Sequence, residues 1–586
     1  MKLRDFTLEH ALWLLMLFLA VGLRLWGLGA AALSDTEAAA ALPALQLARG
    51  VPTGGGLAPL YTTFTGALLF VFGSANFWAR FAPALAGIAL AGLPWFLREK
   101  LGRSAAFILA FGFIFDPGLL AIARQAGGEM LTLALTLWAA ALWWRGFRPA
   151  GLALGLLALL GGVSAWFVLL AGALTLLLAR FLLMSAPEGD SAPAAGAPLR
   201  LDLPRPAWIF ALGLWLVAAT LFLRYPQGLA EWGNSLGSFI AGWAAQPTVP
   251  IVRLPVGLLT YALLPLTFGL VAVVRVWLQP NLLGRVASVW LLVALLLWLV
   301  YPARQFAWVV WLTLPLWLLT ALELRDIVSQ IDSQMNRAVL GQFGLMLLLP
   351  VLFWLNLAGM GQPTITPEVW QTRVWLGLGL LFLGFFTTVL VALGWGTAAA
   401  RLGTSAGLAV SLGAAVIGAA WGAAFLRPQQ VQELWYAMPG NGQMPLLVET
   451  LRDFGEQKTG RALALDILSE VDTPALRWAL RDFEQVRFVS VLPSQGLASA
   501  LITYQPADTL EFPVAYRGQQ FVLRAYPAWD GALPLGWEAW LTFRSAPTVN
   551  ESLVLWLRGD VFPGGQAVGA QPAVPFPPEA PEEIVP

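Results

Sequence analysis

The sequence predicts a polytopic α-helical membrane protein followed by a small extracytoplasmic α/β domain. Of the 586 residues, 58% are hydrophobic and 11% are charged, and the mean hydropathy is +0.72, more apolar than a soluble domain tolerates. Apolar segments of about 20 residues, the length that crosses a bilayer, recur from residue 8 to residue 426. The residues after 426 are more polar, so the chain is expected to form two domains.

The composition excludes several kinds of site. Cysteine is absent and His10 is the only histidine, so thiol catalysis, disulfides and a Cys/His zinc site are excluded. A metal ion would have only oxygen ligands, and a divalent cation is left open as a cofactor. The net charge is +1 and the chain contains no basic run or glycine-rich phosphate loop. We therefore expect no nucleic-acid partner.

The first spans set the predicted orientation. Residues 8–28 form the first span, and Lys2 and Arg4 place the N-terminus in the cytoplasm, because basic residues collect on that side. The first loop, residues 29–76, then lies outside the cell. Residues 58–73 are also apolar, but we expect them to lie along the outer surface or to re-enter the membrane, because a span there would place the basic segment "REKLGR" outside.

The remaining hydropathy peaks give the predicted transmembrane domain, residues 1–427. With the second span at residues 77–97, the basic loops that follow fall in the cytoplasm, and we count about 13 spans. The N-terminus is cytoplasmic and the C-terminal domain is extracytoplasmic. The sequence thus predicts a multi-pass protein of the plasma membrane.

Residues 428–563 are the predicted extracytoplasmic α/β domain. Residues 445–460 have helical periodicity and end at Gly460. Short alternating or apolar runs predict strands: "ALALDIL", "VRFVSVL", "ASALITY", "QFVLRAY" and "SLVLWLR". Ser494 and Ser499 are expected to lack a catalytic partner. Residues 564–586 are rich in proline and acidic, which predicts a disordered tail.

Charged residues that the predicted topology places outside the membrane are the candidate site. The first loop carries Asp35 and Glu37, and the loop "DPGLLAIARQAGGEM" carries Arg124 and Glu129; the turn "GGVSAWF" (161–167) lies beside them in the topology. A carboxylate at this face can act as a general base or bind a divalent cation, and an arginine can hold a phosphate. Together these groups could transfer a group from a phosphate leaving group. The alternative is that they are interfacial charges that pair with one another, and Asp116, which precedes Pro117, is expected to cap a helix end.

Three stretches resemble the N-terminal half of the GT-C membrane glycosyltransferases, which include the protein O-mannosyltransferases and the aminoarabinose transferases of lipid A. They are "RLWGLGAAALSDTEAAAALPALQLARG", "APLYTTFTGALLFVFGSANFWARFAPALAGIALAGLPWFLREKLGR" and "FDPGLLAIARQAGGEML". The shared features are an acidic site in the first outer loop, a Pro-Leu-Tyr segment, an arginine opening the second span, a basic "LGR" turn and an arginine in the second outer loop. The C-terminal segment with "RWALRDF" (477–483) is similar to the GT-C-like family named for its association with flippase activity.

The resemblance implies roles for the candidate residues. Asp35 and Glu37 match the first acidic site, one of them being the catalytic base, and Arg124 matches the loop arginine that holds the donor phosphate. Glu129 stands where the family has an aspartate. This chain departs from the family pattern because Thr36 separates the two carboxylates, two glycines precede Glu129, and the turn "GGVSAW" has no lysine.

The leading hypothesis is a membrane glycosyltransferase of inverting type. The resemblance implies a polyprenyl-phosphate sugar as the donor and a lipid, glycan or protein as the acceptor. The departures favour a second hypothesis, a non-catalytic GT-C-like scaffold or lipid-glycan binding subunit. A flippase or transporter component is a third hypothesis, but it predicts inverted repeats and charges near the bilayer midplane, and the sequence has few such charges and no repeat.

Overall fold

The computed structural model describes residues 7–52, 54–184, 203–279, 281–331, 336–437, 439–493, 498–504, 515–529, 531 and 533–561. The predicted proline-rich tail, 564–586, lies outside these described residues. The chain divides into two compact units. The first comprises Met1–Gly440 and Tyr526–Val549, and the second comprises Asn441–Ala525 and Asn550–Pro586.

The first unit is helical. Its helices are α1 (Leu8–Leu25), α2 (Asp35–Ala48), α3 (Pro59–Phe72), α4 (Asn76–Leu101), α5 (Arg103–Phe115), α6 (Pro117–Ala123), α7 (Glu129–Trp144), α8 (Arg148–Ala158), α9 (Val163–Met184), α10 (Arg205–Thr220), α11 (Gln227–Ala241), α12 (Arg253–Tyr261), α13 (Leu263–Leu278), α14 (Leu282–Val300), α15 (Val310–Val328), α16 (Arg337–Met360), α17 (Pro367–Trp395) and α18 (Thr397–Trp421). A further helix, Trp537–Phe543, also belongs to this unit.

Eight described helices are long and apolar enough to cross a membrane, or up to ten when each of two bent pairs is one span. The protein is therefore a multi-pass membrane protein, as predicted. The predicted number of about 13 is reached only if the shorter apolar helices α7, α8 and α10 also cross, so that number stays a prediction. The apolar helices α3 and α8 have 14 and 11 residues, fewer than the about 20 that usually cross a hydrocarbon core of about 30 Å.

One of the bent spans turns at Asp116. Helices α5 and α6 meet there at 54°, and the Asp116 carboxylate accepts a hydrogen bond from the Leu119 amide at 2.9 Å. Pro117 occupies the first position of α6, where its missing N–H is not needed. The expectation that Asp116 caps a helix end is confirmed. Its other oxygen accepts a hydrogen bond from the Trp317 indole at 2.8 Å, which ties the bend to α15.

Helix α15 lies at the centre of the bundle. Nearly all of its residues are buried, among them Trp317, and it packs against α5, α13 and α14. Helix α17 is the opposite case, because its residues are almost all apolar and, apart from Gly377, not fully buried. A helix that is apolar on every side and exposed on most of them is suited to a lipid environment.

The described residues form a sheet of six strands: β1 (Gly440–Asn441), β2 (Asp466–Ser469), β3 (Gln485–Phe488), β4 (Ala500–Tyr504), β5 (Tyr516–Pro527) and β6 (Thr548–Arg558). Their order is β1-β5-β6-β4-β2-β3. Strand β2 pairs in parallel with β3 and β4, and β4 pairs antiparallel with β6. All five predicted runs contain a strand. The predicted helix is α19 (Met444–Thr459), which ends at Gly460 in the left-handed conformation; a short helix α20 (Pro474–Ala479) follows β2.

Ser499 in the second unit was expected to lack a catalytic partner, which stays a prediction. Its hydroxyl accepts a hydrogen bond from the Lys458 ammonium. Burial lowers the pKa of Lys458, with the nearby Arg558 adding to the effect. The sequence could not show this contact because 41 positions separate the two residues. Ser494 lies outside the described residues.

Candidate functional site

A buried ion pair between Glu37 and Arg80 forms the base of the candidate site. Glu37 is 1% exposed and Arg80 is 2% exposed. The guanidinium donates from Nε to Glu37 Oε1 at 2.7 Å and from Nη2 to Glu37 Oε2 at 2.9 Å, the two-pronged geometry that makes such pairs strong and directional. The pair joins α2 to α4.

The Glu37 carboxylate has further donors on both oxygens. Oε1 accepts from the Ala126 amide at 2.9 Å, and Oε2 accepts from the Ser34 amide at 3.1 Å. The Gln429 side-chain amide also donates to Oε2. A carboxylate has about four acceptor positions, and here they are filled by groups of the protein. Glu37 is therefore built into the framework of the site.

Arg80 also fixes the chain that follows α1. Its Nη1 donates to the carbonyls of Leu28 at 3.0 Å and Ala31 at 2.8 Å, and Nη2 donates to the carbonyl of Ala32 at 2.9 Å. Only arginine offers five N–H donors in one rigid plane. One side chain thus orders the segment that leads into Asp35.

The first turn of α2 explains why Asp35 and Glu37 differ in burial and in the direction of their side chains. Ser34 is the N-cap and forms a capping box with Glu37, which occupies the third helical position. Asp35 is the first helical residue and is half-buried. Residues two apart on a helix point in different directions, so Thr36 places Asp35 on a different side from Glu37. Both carboxylates lie in the first turn, where the helix dipole stabilises negative charge.

Arg124 is anchored but keeps donors available. Its Nη1 donates to the carbonyls of Leu23 and Trp26, both at 2.9 Å, and its guanidinium lies 4.5 Å from the centre of the Phe425 ring. The other two nitrogens, Nε and Nη2, make no hydrogen bond to any residue that the structure describes. Arg124 is therefore a fixed cation with free N–H groups, a suitable arrangement for holding a phosphate.

Glu129 begins α7 and is half-buried. Its carboxylate accepts a hydrogen bond from its own backbone amide and has no ion-pair partner within the described part of the chain. The glycine before it is required by packing, because a Cβ on Gly128 would lie 2.1 Å from the Gly161 carbonyl oxygen and 2.9 Å from the Ala58 Cβ. Gly128 therefore permits a close approach of the turn at Gly161.

These contacts bring together the three loops that carry the predicted site residues. The bond from the Ala126 amide to Glu37 joins the loop of Arg124 and Glu129 to α2. The turn at Gly161 packs on Gly128, and the Ser164 hydroxyl donates to the Thr132 hydroxyl at 3.3 Å. All three predicted features therefore belong to one assembly.

An apolar groove runs along the bundle next to this assembly. Its volume is about 400 Å³. Its walls come from four helices, with Leu60 and Phe64 on α3, Ala82, Leu85, Ala86 and Ala89 on α4, Leu131, Ala134, Leu135 and Trp138 on α7, and Leu154 and Leu157 on α8. The α7 wall begins two residues after Glu129. One wall of the groove is thus formed by the helix that Glu129 begins.

Metal-binding capacity is limited in the described ranges. No group of three or more His, Asp or Glu side chains lies close enough there to hold a metal ion. Asp35 and Glu129 are the site carboxylates whose oxygens are not committed to the pair with Arg80.

Comparisons with known proteins identify solved structures of similar architecture. No family model matches the chain, and no curated protein matches it. Among solved structures, ArnT from Cupriavidus metallidurans in the apo state is 15% identical, with a TM-score of 0.50 over 82% of this chain and 86% of that one. The same protein bound to undecaprenyl phosphate is 16% identical, with a TM-score of 0.49 over 81% of this chain and 86% of that one.

The chain has the ArnT fold. The predicted fold class, a polytopic helical bundle followed by a small α/β region, is therefore confirmed. The predicted resemblance is confirmed as a likeness of fold to ArnT.

Within this ArnT fold, two residues of the site were not named from the sequence. Arg80 lies 43 positions from Glu37, and its signal was the arginine that opens the second span in the GT-C pattern. Gln429 lies 392 positions from Glu37, and no local pattern marks it. It belongs to the segment after the last long helix, which the sequence analysis assigned to the extracytoplasmic domain.

Proposed function

We propose that this protein is a membrane glycosyltransferase that moves a sugar from a polyprenyl-phosphate donor to the hydroxyl group of a lipid, glycan or protein acceptor. The observation that carries the proposal is the Glu37–Arg80 pair, which fixes the loops of Asp35, Arg124 and Glu129 in one assembly. The ArnT fold and the motifs shared with GT-C enzymes support the same activity.

Asp35 is the proposed catalytic base. The sequence left open whether Asp35 or Glu37 has this role. Besides Arg80, Glu37 accepts hydrogen bonds from the Ala126 amide, the Ser34 amide and the Gln429 side chain. It cannot take a proton without weakening the pair with Arg80. Asp35 is half-buried on a different side of α2, and a carboxylate at such a position is suited to proton transfer.

The proposed reaction is a single displacement at the anomeric carbon. Asp35 removes the proton from the acceptor hydroxyl as its oxygen bonds to the anomeric carbon. The bond from that carbon to the phosphate oxygen breaks, and its electron pair stays on the phosphate. The free N–H groups of Arg124 stabilise the negative charge that builds up on the departing polyprenyl phosphate. Attack opposite the leaving group inverts the configuration of the sugar.

Glu129 is proposed as the second carboxylate of the reaction centre, where it would bind a hydroxyl of the donor sugar or the acceptor. With Asp35 it is also the group that would ligate a divalent cation, which the sequence left open. The apolar groove is the proposed site of the donor's polyprenyl chain, because the helix that begins at Glu129 forms one of its walls. Its walls carry no polar side chain that would oppose a hydrocarbon.

The proposed location is the plasma membrane, with the N-terminus cytoplasmic and the site and C-terminal domain extracytoplasmic. The basic loops "REKLGR" and Arg145 with Arg148 support this orientation. Cysteines introduced at Thr36 and Arg148, in a chain that has no cysteine, test it by labelling of intact cells. A membrane-impermeant reagent should label the first and not the second.

The activity is tested with purified protein in nanodiscs, a panel of polyprenyl-phosphate sugars and a membrane lipid extract as acceptor. The proposal predicts release of polyprenyl phosphate with transfer of the sugar. If the protein binds polyprenyl phosphate but transfers no sugar from any donor, the alternative of a non-catalytic scaffold or lipid-glycan binding subunit replaces it.

A further inference from the structure

We propose that Gln429 is a positioning residue of the site, acting through Glu37. This inference rests on the proposed function. Gln429 is 4% exposed, and its side-chain nitrogen donates a hydrogen bond to Glu37 Oε2. The residue comes from the segment after α18, so the site is completed by a part of the chain remote from the helices that carry the charged groups.

The backbone at Gln429 is held in an unusual conformation. Its φ is +62°, in the left-handed region that side chains other than glycine rarely adopt. Such a conformation persists only when the surrounding structure determines it. The neighbouring residues show how the segment is fixed, because the Arg427 guanidinium donates to Glu433 at 2.6 Å and the Tyr436 hydroxyl donates to the Ala423 carbonyl at 2.9 Å.

Glu433 anchors the segment that follows α18 and contains Gln429. Its side chain is fully buried, and it accepts a hydrogen bond from the Tyr261 hydroxyl at 2.7 Å. Arg544, at the end of the helix Trp537–Phe543, lies 3.6 Å from the same carboxylate. Trp435 packs directly on α6, since a Cβ on Gly118 would lie 2.5 Å from its ring. The segment is thus held from both sides, and Gln429 is presented to Glu37 in one orientation.

An amide suits this position for an electrostatic reason. It donates a hydrogen bond without adding charge, so the ion pair of Glu37 with Arg80 stays balanced. A carboxyl group in the same place would set two carboxylates in contact, which cannot both ionise at neutral pH. The other titratable groups that face Glu37 are Arg80, Tyr61 and Tyr436.

The orientation of the Glu37 carboxylate determines the position of the loop that binds to it. Oε1 binds the Ala126 amide, and this bond orders the loop between Arg124 and Glu129. Without Gln429, Oε2 keeps its bonds to Arg80 and Ser34, so the fold persists while the carboxylate gains freedom to rotate. The expected consequence is a loss of kcat with little change in donor KM.

The test compares Gln429→Ala and Gln429→Glu with the same substitutions at Gln430, which is exposed. Gln429→Ala should lower kcat at least about tenfold and leave donor KM within about threefold. Gln429→Glu should be active at low pH, where the introduced carboxyl keeps its proton and donates to Glu37 as the amide does. Its activity should fall as the pH rises through the ionisation of that carboxyl, whereas both Gln430 variants should match the wild type at every pH.

Thermal unfolding separates failure of this inference from failure of the proposed function. The Tm of Gln429→Glu, relative to the wild type, should decrease between pH 5 and pH 8, and that of Gln430→Glu should not. If the Tm values behave in this way but no variant and no wild-type protein transfers sugar, the contact of Gln429 with Glu37 is supported and the proposed glycosyltransferase activity is refuted. If Gln429→Glu and Gln430→Glu have the same pH dependence, or if Gln429→Ala transfers sugar with wild-type kcat, Gln429 is not a positioning residue.

Discussion

Arg80 and Glu37 are 43 positions apart and form a buried, two-pronged ion pair with N–O distances of 2.7 and 2.9 Å. The pair joins α2 to α4, and through the Ala126 amide it also holds the loop of Arg124 and Glu129. The proposed mechanism divides positioning and chemistry between two carboxylates of one helical turn. Glu37 orders the site, while Asp35 is the carboxylate proposed to react.

Replacing Glu37 should destabilise the protein. Glu37→Gln leaves the buried Arg80 without its counter-ion, and removal of one partner of a buried pair costs about 3–5 kcal/mol. Asp35→Asn is the matched control, because it makes the same chemical change on the same turn at a half-buried position. Thermal unfolding in detergent should show a large decrease in Tm for Glu37→Gln and little change for Asp35→Asn. Equal Tm values would contradict a structural role for Glu37.

A lysine in place of Arg80 should not support sugar transfer or stability as the arginine does. Arg80→Lys keeps the charge but loses the planar fork that serves Glu37 and three carbonyls at once. Sugar transfer should decrease at least about tenfold, and the Tm should also decrease. Arg98→Lys, near the other end of α4, is the control, since Arg98 is only partly buried and its hydrogen bond goes to the Trp95 carbonyl. Wild-type transfer by Arg80→Lys would show that charge alone suffices.

Arg124 should contribute to binding of the donor phosphate. Its Nε and Nη2 have no hydrogen-bond partner among the described residues, and a bond from a charged donor contributes about 1.5–3 kcal/mol. Arg124→Gln should therefore weaken binding of polyprenyl phosphate at least about tenfold, since each tenfold step is about 1.4 kcal/mol. Arg148→Gln, an exposed arginine on α8, should bind as the wild type does. Unchanged affinity in Arg124→Gln would place the phosphate elsewhere.

The apolar groove should discriminate donors by chain length. Ala89 is an exposed residue of its wall, so Ala89→Phe fills the groove without overpacking the core. The affinity for long-chain polyprenyl phosphates should decrease at least about tenfold, and that for a short-chain analogue should not change. Leu393→Phe, on the exposed surface of α17, is the control. Equal loss for both chain lengths would place the polyprenyl chain outside the groove.

The second unit offers a pH-dependent contact between Asp472 and Arg477. The Arg477 guanidinium donates to the Asp472 carboxylate at 2.6 Å through Nη2 and lowers the pKa of Asp472. The pair therefore stabilises the folded state above the unfolded pKa of about 3.9, and this stabilisation is lost as the pH decreases through the lower folded pKa. Both side chains are about half exposed, so the contribution should be below about 1 kcal/mol.

That contribution is measured as the Tm difference between the wild type and Arg477→Gln at pH 7 and at pH 2.5. The difference should be present at pH 7 and absent at pH 2.5. Arg452→Gln, an exposed arginine on α19, should show no such difference. A difference that persists at pH 2.5 would show that Arg477 acts through packing on Phe488.

Local sequence patterns predicted the helices and strands of this protein, but they did not predict its long-range side-chain contacts. Gly460 marked the end of α19, and the alternating runs marked the strands, because turn residues and periodicity are local signals. The Asp35 and Glu37 pair was conspicuous, but their division of roles depends on Arg80 and Gln429, which are 43 and 392 positions from Glu37. Contacts between residues so far apart in the chain produce no recognisable spacing in the sequence.

The most direct test of the account compares sugar transfer by the wild type and Asp35→Asn in nanodiscs, with Thr36→Val as the control for the same turn. Thr36 is exposed, and its hydroxyl has no role in the proposed reaction. If Asp35 is the base, Asp35→Asn should keep its Tm and its affinity for polyprenyl phosphate but lose about 10²-fold or more of the transfer rate, while Thr36→Val should transfer sugar normally. Transfer by Asp35→Asn at the wild-type rate would contradict the assignment of Asp35 as the base.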